Sequence, residues 1–123
     1  MMDLKSLIER IFAINANIRY VAVADSKFQL IESKMRESVP TLTSDKIDSA
    51  FFSWVPPVMI EGVSQLSPYV GAVTAVTIRY EKLLAVYVPV GKYVIALTLD
   101  HSAATSVFDI ASSVRSMVEK EVS

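Results

Sequence analysis

The sequence predicts a single α+β domain of order α-β-β-α-β-β-β-α, with a five-stranded antiparallel sheet flanked by helices. Three observations lead there. Apolar residues recur at three- and four-residue spacing near both ends, which is the period of a helix with one buried face. Between them lie short runs of strand-type residues joined by turns of two or three residues, and such short connections favour antiparallel neighbours. Finally, the 123 residues contain no linker, repeat or low-complexity stretch, and that length suits one domain.

The first helix opens at Asp3, a residue type that caps a helix by accepting from a free N–H. Leu4, Leu7, Ile8, Ile11, Phe12 and Ile14 form its apolar stripe, with Lys5, Glu9 and Arg10 opposite. Asn15 and Asn17 end it. Residues 20–24 are a strand run, Asp25-Ser26-Lys27 a tight polar turn, and residues 28–32 the returning strand. Residues 33–43, with Pro40, read as a surface loop. Thr43 or Ser44 then caps a second helix carrying Asp45 in its first turn and Ile47, Ala50, Phe51 and Trp54 as a stripe.

Pro56 and Pro57 must kink or restart that helix. Val58, Met59, Val63 and Leu66 continue it toward an expected stop near Ser67-Pro68, with Gly71 freeing the turn. Residues 72–80 read as a strand, with Val76, Ile78 and Tyr80 on one face and Thr77 and Arg79 on the other. Glu81-Lys82 and Gly91-Lys92 turn the chain into residues 83–90 and 93–99, whose almost unbroken apolar character suits strands covered on both faces. Ser102 is the expected cap of the last helix, where Val107, Ile110, Ala111, Val114, Met117 and Val118 define the buried stripe.

The chemistry available to this chain is narrow. A net charge of −1 lacks the basic surplus that phosphate neutralisation needs, so no nucleic-acid partner is expected. Cysteine is absent, which removes disulfides, thiolate nucleophiles and Cys-based metal sites. Asp3, Lys5, Glu9 and Arg10 interrupt any secretory apolar segment, and no apolar run approaches the roughly 20 residues of a membrane span. A cytoplasmic protein is expected. The lone histidine, His101, sits between Asp100 and Ser102; three consecutive residues at a strand-to-helix junction diverge, so a solvated loop histidine is expected rather than a triad. With only Gly62, Gly71 and Gly91, no glycine-rich phosphate loop can be written. Tyr80, Tyr87 and Tyr93 lack the interleaved basic residues of an RNA-binding sheet. Neither a catalytic residue, a metal nor a cofactor is expected, and an enzyme using His101 is the remote option.

One anomaly remains. Residues 47–78 carry only two charged side chains, Asp48 and Glu61, and no Lys or Arg. The second helix has two apolar stripes: Ile47, Phe51, Trp54 and Val58 on one line, Phe52, Val55, Met59 and Val63 on another. A break at Pro56-Pro57 could rotate both stripes onto one core. Alternatively, a helix apolar on two sides is buried on two sides, against its own sheet and against a partner. The expected dimer or partner surface comprises Phe52, Trp54, Val55, Met59, Val63, Thr74, Val76 and Thr77, with two copies pairing through the third strand by two-fold symmetry.

The element order, together with Arg19-Tyr20-Val21-Ala22-Val23-Ala24-Asp25 and the stretch from Tyr69-Val70-Gly71 to Arg79-Tyr80-Glu81-Lys82, resembles the roadblock (dynein light-chain) family within the profilin- and longin-like group. The stretch from Val88-Pro89-Val90-Gly91-Lys92-Tyr93 to Asp100 adds to the likeness, and the chain also looks like short archaeal roadblock-like proteins of unknown function. The resemblance covers the whole chain and implies a non-enzymatic domain. It further implies dimers built on the second helix and the third strand, and regulation or scaffolding of small Ras-like GTPases. Two departures stand out: the Asp25-Ser26-Lys27 turn lacks the glycine common in the family, and Pro56-Pro57 interrupts a helix that is usually continuous. The rival reading is a PAS- or profilin-like sensor holding a small ligand between sheet and helices, which would require polar groups converging on a pocket.

Overall fold

The computed structural model describes residues 3–37 and 60–122. Helix α1 (Leu4–Phe12) begins where Asp3 Oδ1 accepts the backbone N–H groups of Lys5 (3.1 Å) and Ser6 (3.3 Å), and it buries Leu7, Ile8, Ile11 and Phe12. Strands β1 (Ile18–Ala24), β2 (Leu30–Met35), β3 (Val76–Arg79), β4 (Leu84–Val90) and β5 (Tyr93–Leu99) form one sheet in the order β2-β1-β5-β4-β3. Every neighbouring pair is antiparallel. A helical turn, α2 (Ser67–Val70), precedes β3, and the long α3 (Val107–Val122) closes the described chain. This is the α+β architecture the sequence predicts.

Alternation along the strands separates two cores. Val21, Val23, Val86, Val88, Ile95 and Leu97 face α1 and α3, which press Ile8, Ile11, Ile110, Val114 and Val118 against them. On the other face Ala22, Ala24, Ala85 and Ala96 surround Tyr87, with Ile60 packed among them. Strands β4 and β5 are thus covered on both sides, which is why their sequences lack a polar alternation. Burial pushes the Tyr87 phenol above the usual tyrosine range, with Tyr80 and Tyr20 adding to the effect.

Arg36 locks the end of α1 to the sheet. Its guanidinium donates to the carbonyls of Ile18 (2.7 Å), Phe12 (2.8 Å) and Asn15 (3.0 Å) and stacks 4.9 Å from the Phe12 ring centre. Those carbonyls include orphans of a helix C-terminus, so one planar donor satisfies several groups at once.

The second strand starts later and runs further than residues 28–32. Asp25 Oδ1 accepts the N–H of Lys27 (2.8 Å) and Gln29 (3.0 Å), while Phe28 donates to the Asp25 carbonyl (3.0 Å), so the turn extends through Gln29. Phe28 occupies φ 62°, the left-handed region where glycine is unstrained. Beyond it, Ser33 and Lys34 pair with Ala22 and Val21, and Ile31 bulges where the register shifts. Their composition reads as a loop, but an edge strand with one wet face needs few apolar side chains.

The third strand is four residues long, not nine. Tyr80 donates to Leu83 (2.9 Å), so by alternation Leu83, Ala85, Tyr87 and Pro89 turn their backbones toward β3. Pro89 has no N–H, and its carbonyl accepts Arg115 Nη1 (3.0 Å), so the ladder ends opposite Tyr87. Ser67-Pro68 does not end the helical segment either. Pro68 lies in the first turn of α2, where an N–H is dispensable, and the chain turns instead at Gly71 (φ 90°). Nor does Ser102 cap the last helix. A 3-10 stretch, His101–Ser106, follows Asp100, whose carbonyl accepts from Ala103 (2.9 Å) and whose carboxylate is held by Arg19 Nη1 (2.7 Å).

Candidate protein-interaction site

Among the described residues both edges of the sheet end in an open strand, but the two are differently defended. Strand β2 carries Glu32 and Lys34, a bulge at Ile31, and an ion pair from Lys34 to Glu9 of α1. Charges and bulges of this kind discourage edge-to-edge pairing. Strand β3 has only Arg79. Since Val76 and Ile78 turn their backbones to β4, those of Thr77 and Arg79 face outward, beyond the last strand of the sheet. His101 holds the edge from behind. Its Nε2 lies 2.7 Å from the Tyr80 carbonyl oxygen, so this half-buried residue is a clamp on the β3–β4 turn rather than a solvated loop histidine.

The chain leading into β3 is apolar and exposed. Val63, Leu66, Tyr69 and Val70 all stand in solvent, Tyr69 at 83% and Val70 at 77%. Isolated exposed apolar residues are ordinary, whereas four within one helical stretch are unusual. On the sheet face that carries α1 and α3, a groove of about 460 Å³ separates the β3 edge from α3. Thr74, Ala75 and Thr77 form one wall; Phe108, Ala111 and Ser112 form the other, with Arg115 between. Phe108 is 78% exposed. A second groove of about 550 Å³ lies between α1 and α3, where Arg10 and Lys120 meet serines 112, 113 and 116, and Arg10 pairs with Glu121 (2.6 Å).

Of the expected surface residues, Val63, Thr74 and Thr77 are exposed along this border. Val76 is half-buried and packs on the face that holds Tyr87, so Val76 and Thr77 serve opposite sides of one edge. Phe52, Trp54, Val55 and Met59 lie outside the described residues, as does the Pro56-Pro57 break. The expected surface does not include Leu66, Tyr69, Val70 or Phe108, although Leu66 is read as part of the helical stripe and Tyr69-Val70 as part of the family resemblance. The available signal was an aromatic lying off the buried stripe of an amphipathic helix, which is how Phe108 stands on α3. Among the described residues, no three His, Cys, Asp or Glu side chains cluster to hold a metal ion, and no helix is long and apolar enough to cross a membrane.

The sequence matches no protein-family model and no curated protein. Solved structures do match. A Roadblock/LC7 domain from Streptomyces avermitilis superposes with a TM-score of 0.70 at 12% identity, over 99% of this chain and 100% of that one. Myxococcus xanthus MglB superposes at 0.68 and 16%, covering 94% of this chain and 90% of its own. An MglB with a tetrameric arrangement gives 0.64 and 12%, over 95% and 88%. The likeness is one of fold: this chain has the roadblock fold over its full described length.

Proposed function

We propose that the chain is a non-catalytic regulatory or scaffold domain of roadblock type, which acts as a homodimer and binds a small Ras-like GTPase. The observation that carries this reading is the undefended β3 edge bordered by exposed Val63, Leu66, Tyr69 and Val70. A two-fold axis beside β3 would pair the strand with its own copy, satisfy the outward groups of Thr77 and Arg79, and run one sheet through both subunits. The low-charge residues 47–78, including Phe52, Trp54, Val55 and Met59, belong to the same surface in this reading. The tetrameric arrangement of the similar MglB supports a roadblock fold that assembles with copies of itself. The GTPase partner rests on the family the fold resembles.

Light scattering with chromatography tests the first half. The expected mass is twice 13.6 kDa; a 13.6 kDa particle at tens of micromolar would sink the dimer. For the second half, titration calorimetry against a small Ras-like GTPase, loaded with GDP or with a non-hydrolysable GTP analogue, should show nucleotide-dependent binding. Equal heats of dilution with both forms would remove the GTPase from the proposal.

A further inference from the structure

Phe108 is the largest exposed apolar side chain on α3, and its position relates to the edge strand rather than to its own core. It stands off the buried stripe of Ile110, Ala111, Val114 and Val118, at the rim of the groove whose far wall is Thr74, Ala75 and Thr77. That wall is the border of β3 and the stretch leading into it. A strand paired with β3 would therefore run along the border of the groove. Among the described residues that line the groove, Arg115 alone is charged, and it is already engaged: its Nη1 donates to the Pro89 carbonyl (3.0 Å) and its Nε to Glu119 (2.9 Å). What it offers a visitor is the methyl groups of Thr74, Ala75, Thr77 and Ala111, a lining suited to an apolar ring.

An isologous interface has a strict reciprocity: if one residue touches a second across the axis, the second copy repeats the contact in reverse. Pairing β3 with β3 sets the two grooves side by side on the helical face, each with an exposed phenyl ring at its rim. We infer that Phe108 of each copy packs into the groove of the other, against Thr74 and Thr77, so that α3 forms a second tier of the dimer on the sheet face opposite Tyr87. This rests on the homodimer proposed above, and it assigns the groove to a second copy of the chain rather than to a further protein.

The chain has no cysteine, so introduced thiols are the only ones present. A Phe108→Cys chain mixed with a Thr74→Cys chain and oxidised should give a mixed disulfide between copies, whereas Phe108→Cys mixed with Glu32→Cys, at the far edge of the sheet, should not. Independently, Phe108→Ala should weaken the dimer roughly a hundredfold by sedimentation equilibrium, about tenfold for each of two buried rings, with no change in the melting temperature of dilute chain. If Phe108→Ala leaves the dimer constant unchanged and the 108–74 disulfide does not form, while Thr77→Pro still dissociates the dimer, the inference fails and the dimer stands. A wild-type chain that stays monomeric at tens of micromolar overturns both.

Discussion

Substituting proline for Thr77 separates the folding of the chain from the pairing of its copies. The backbone of Thr77 faces away from β4, because Tyr80 donates to Leu83 and the strand alternates from there. Proline at this position removes no bond within the sheet and should cost the monomer about 1 kcal/mol or less, as proline does on edge strands. In the dimer each copy loses an N–H donor and leaves the opposing carbonyl unsatisfied. At about 1–3 kcal/mol per buried orphan, and with the substitution counted twice by symmetry, the loss is roughly 2–6 kcal/mol, or about 30-fold to 10⁴-fold in the dimer constant. The control is Ile78→Pro, whose backbone faces β4 and whose side chain is half-buried; it should cost the fold about 3 kcal/mol or more. Sedimentation equilibrium and calorimetric melting, the latter at a concentration where wild type is monomeric, read the two effects separately. Equal melting penalties for Thr77→Pro and Ile78→Pro would refute the strand phase, and an unchanged dimer constant would refute the edge as interface.

Three further outcomes follow from the fold. Arg36→Ala loses three carbonyl contacts and the stack on Phe12, and should cost about 2–4 kcal/mol, roughly 10 °C in thermal melting; Arg36→Lys should not restore it, since one ammonium cannot fork among the three. Asp3→Ala removes the cap of α1 and should cost about 1 kcal/mol in urea titration, while Asp3→Ser recovers most of it. Burial of Tyr87 raises its folded pKa above the ordinary 10.0, so the unfolded chain releases that proton first. The contribution of Tyr87 to stability should therefore be constant below pH 10.0 and fall as pH rises past it, and Tyr87→Phe should lessen that alkaline decline. Phenolate absorbance of the native protein should show Tyr87 titrating only with unfolding.

The elements that were legible in the sequence are those whose signal is local. Asp3 and the stripe from Leu7 to Phe12 specify α1 without reference to anything distant, and the apolar runs of β4 and β5 report burial on both faces. What escaped was set by partners far along the chain. Strand β3 stops at Val76 because Pro89 offers no donor and Arg115, 26 residues further on, takes its carbonyl. Strand β2 continues through Lys34 because β1 is there to pair with it, and an edge strand tolerates polar residues that composition assigns to a loop. Of the surface expected from the charge-poor stretch, Val63, Thr74 and Thr77 are exposed, and beside them stand Leu66, Tyr69 and Val70, the last two past a proline that reads as a stop and instead lies in the first turn of α2. Phe108 lies off the buried stripe that defines α3 in sequence, so the helical period gives it no role.

In the proposed dimer β3, an edge in the isolated chain, becomes an interior strand. Amide hydrogen exchange at Thr77 and Arg79, followed as protein concentration rises, tests it most directly. Both amides should gain protection in step with dimer formation, while the Ile78 amide, already turned to β4, stays protected throughout. Exchange at Thr77 and Arg79 that is fast and independent of concentration, in a sample shown to be dimeric, would place the interface elsewhere.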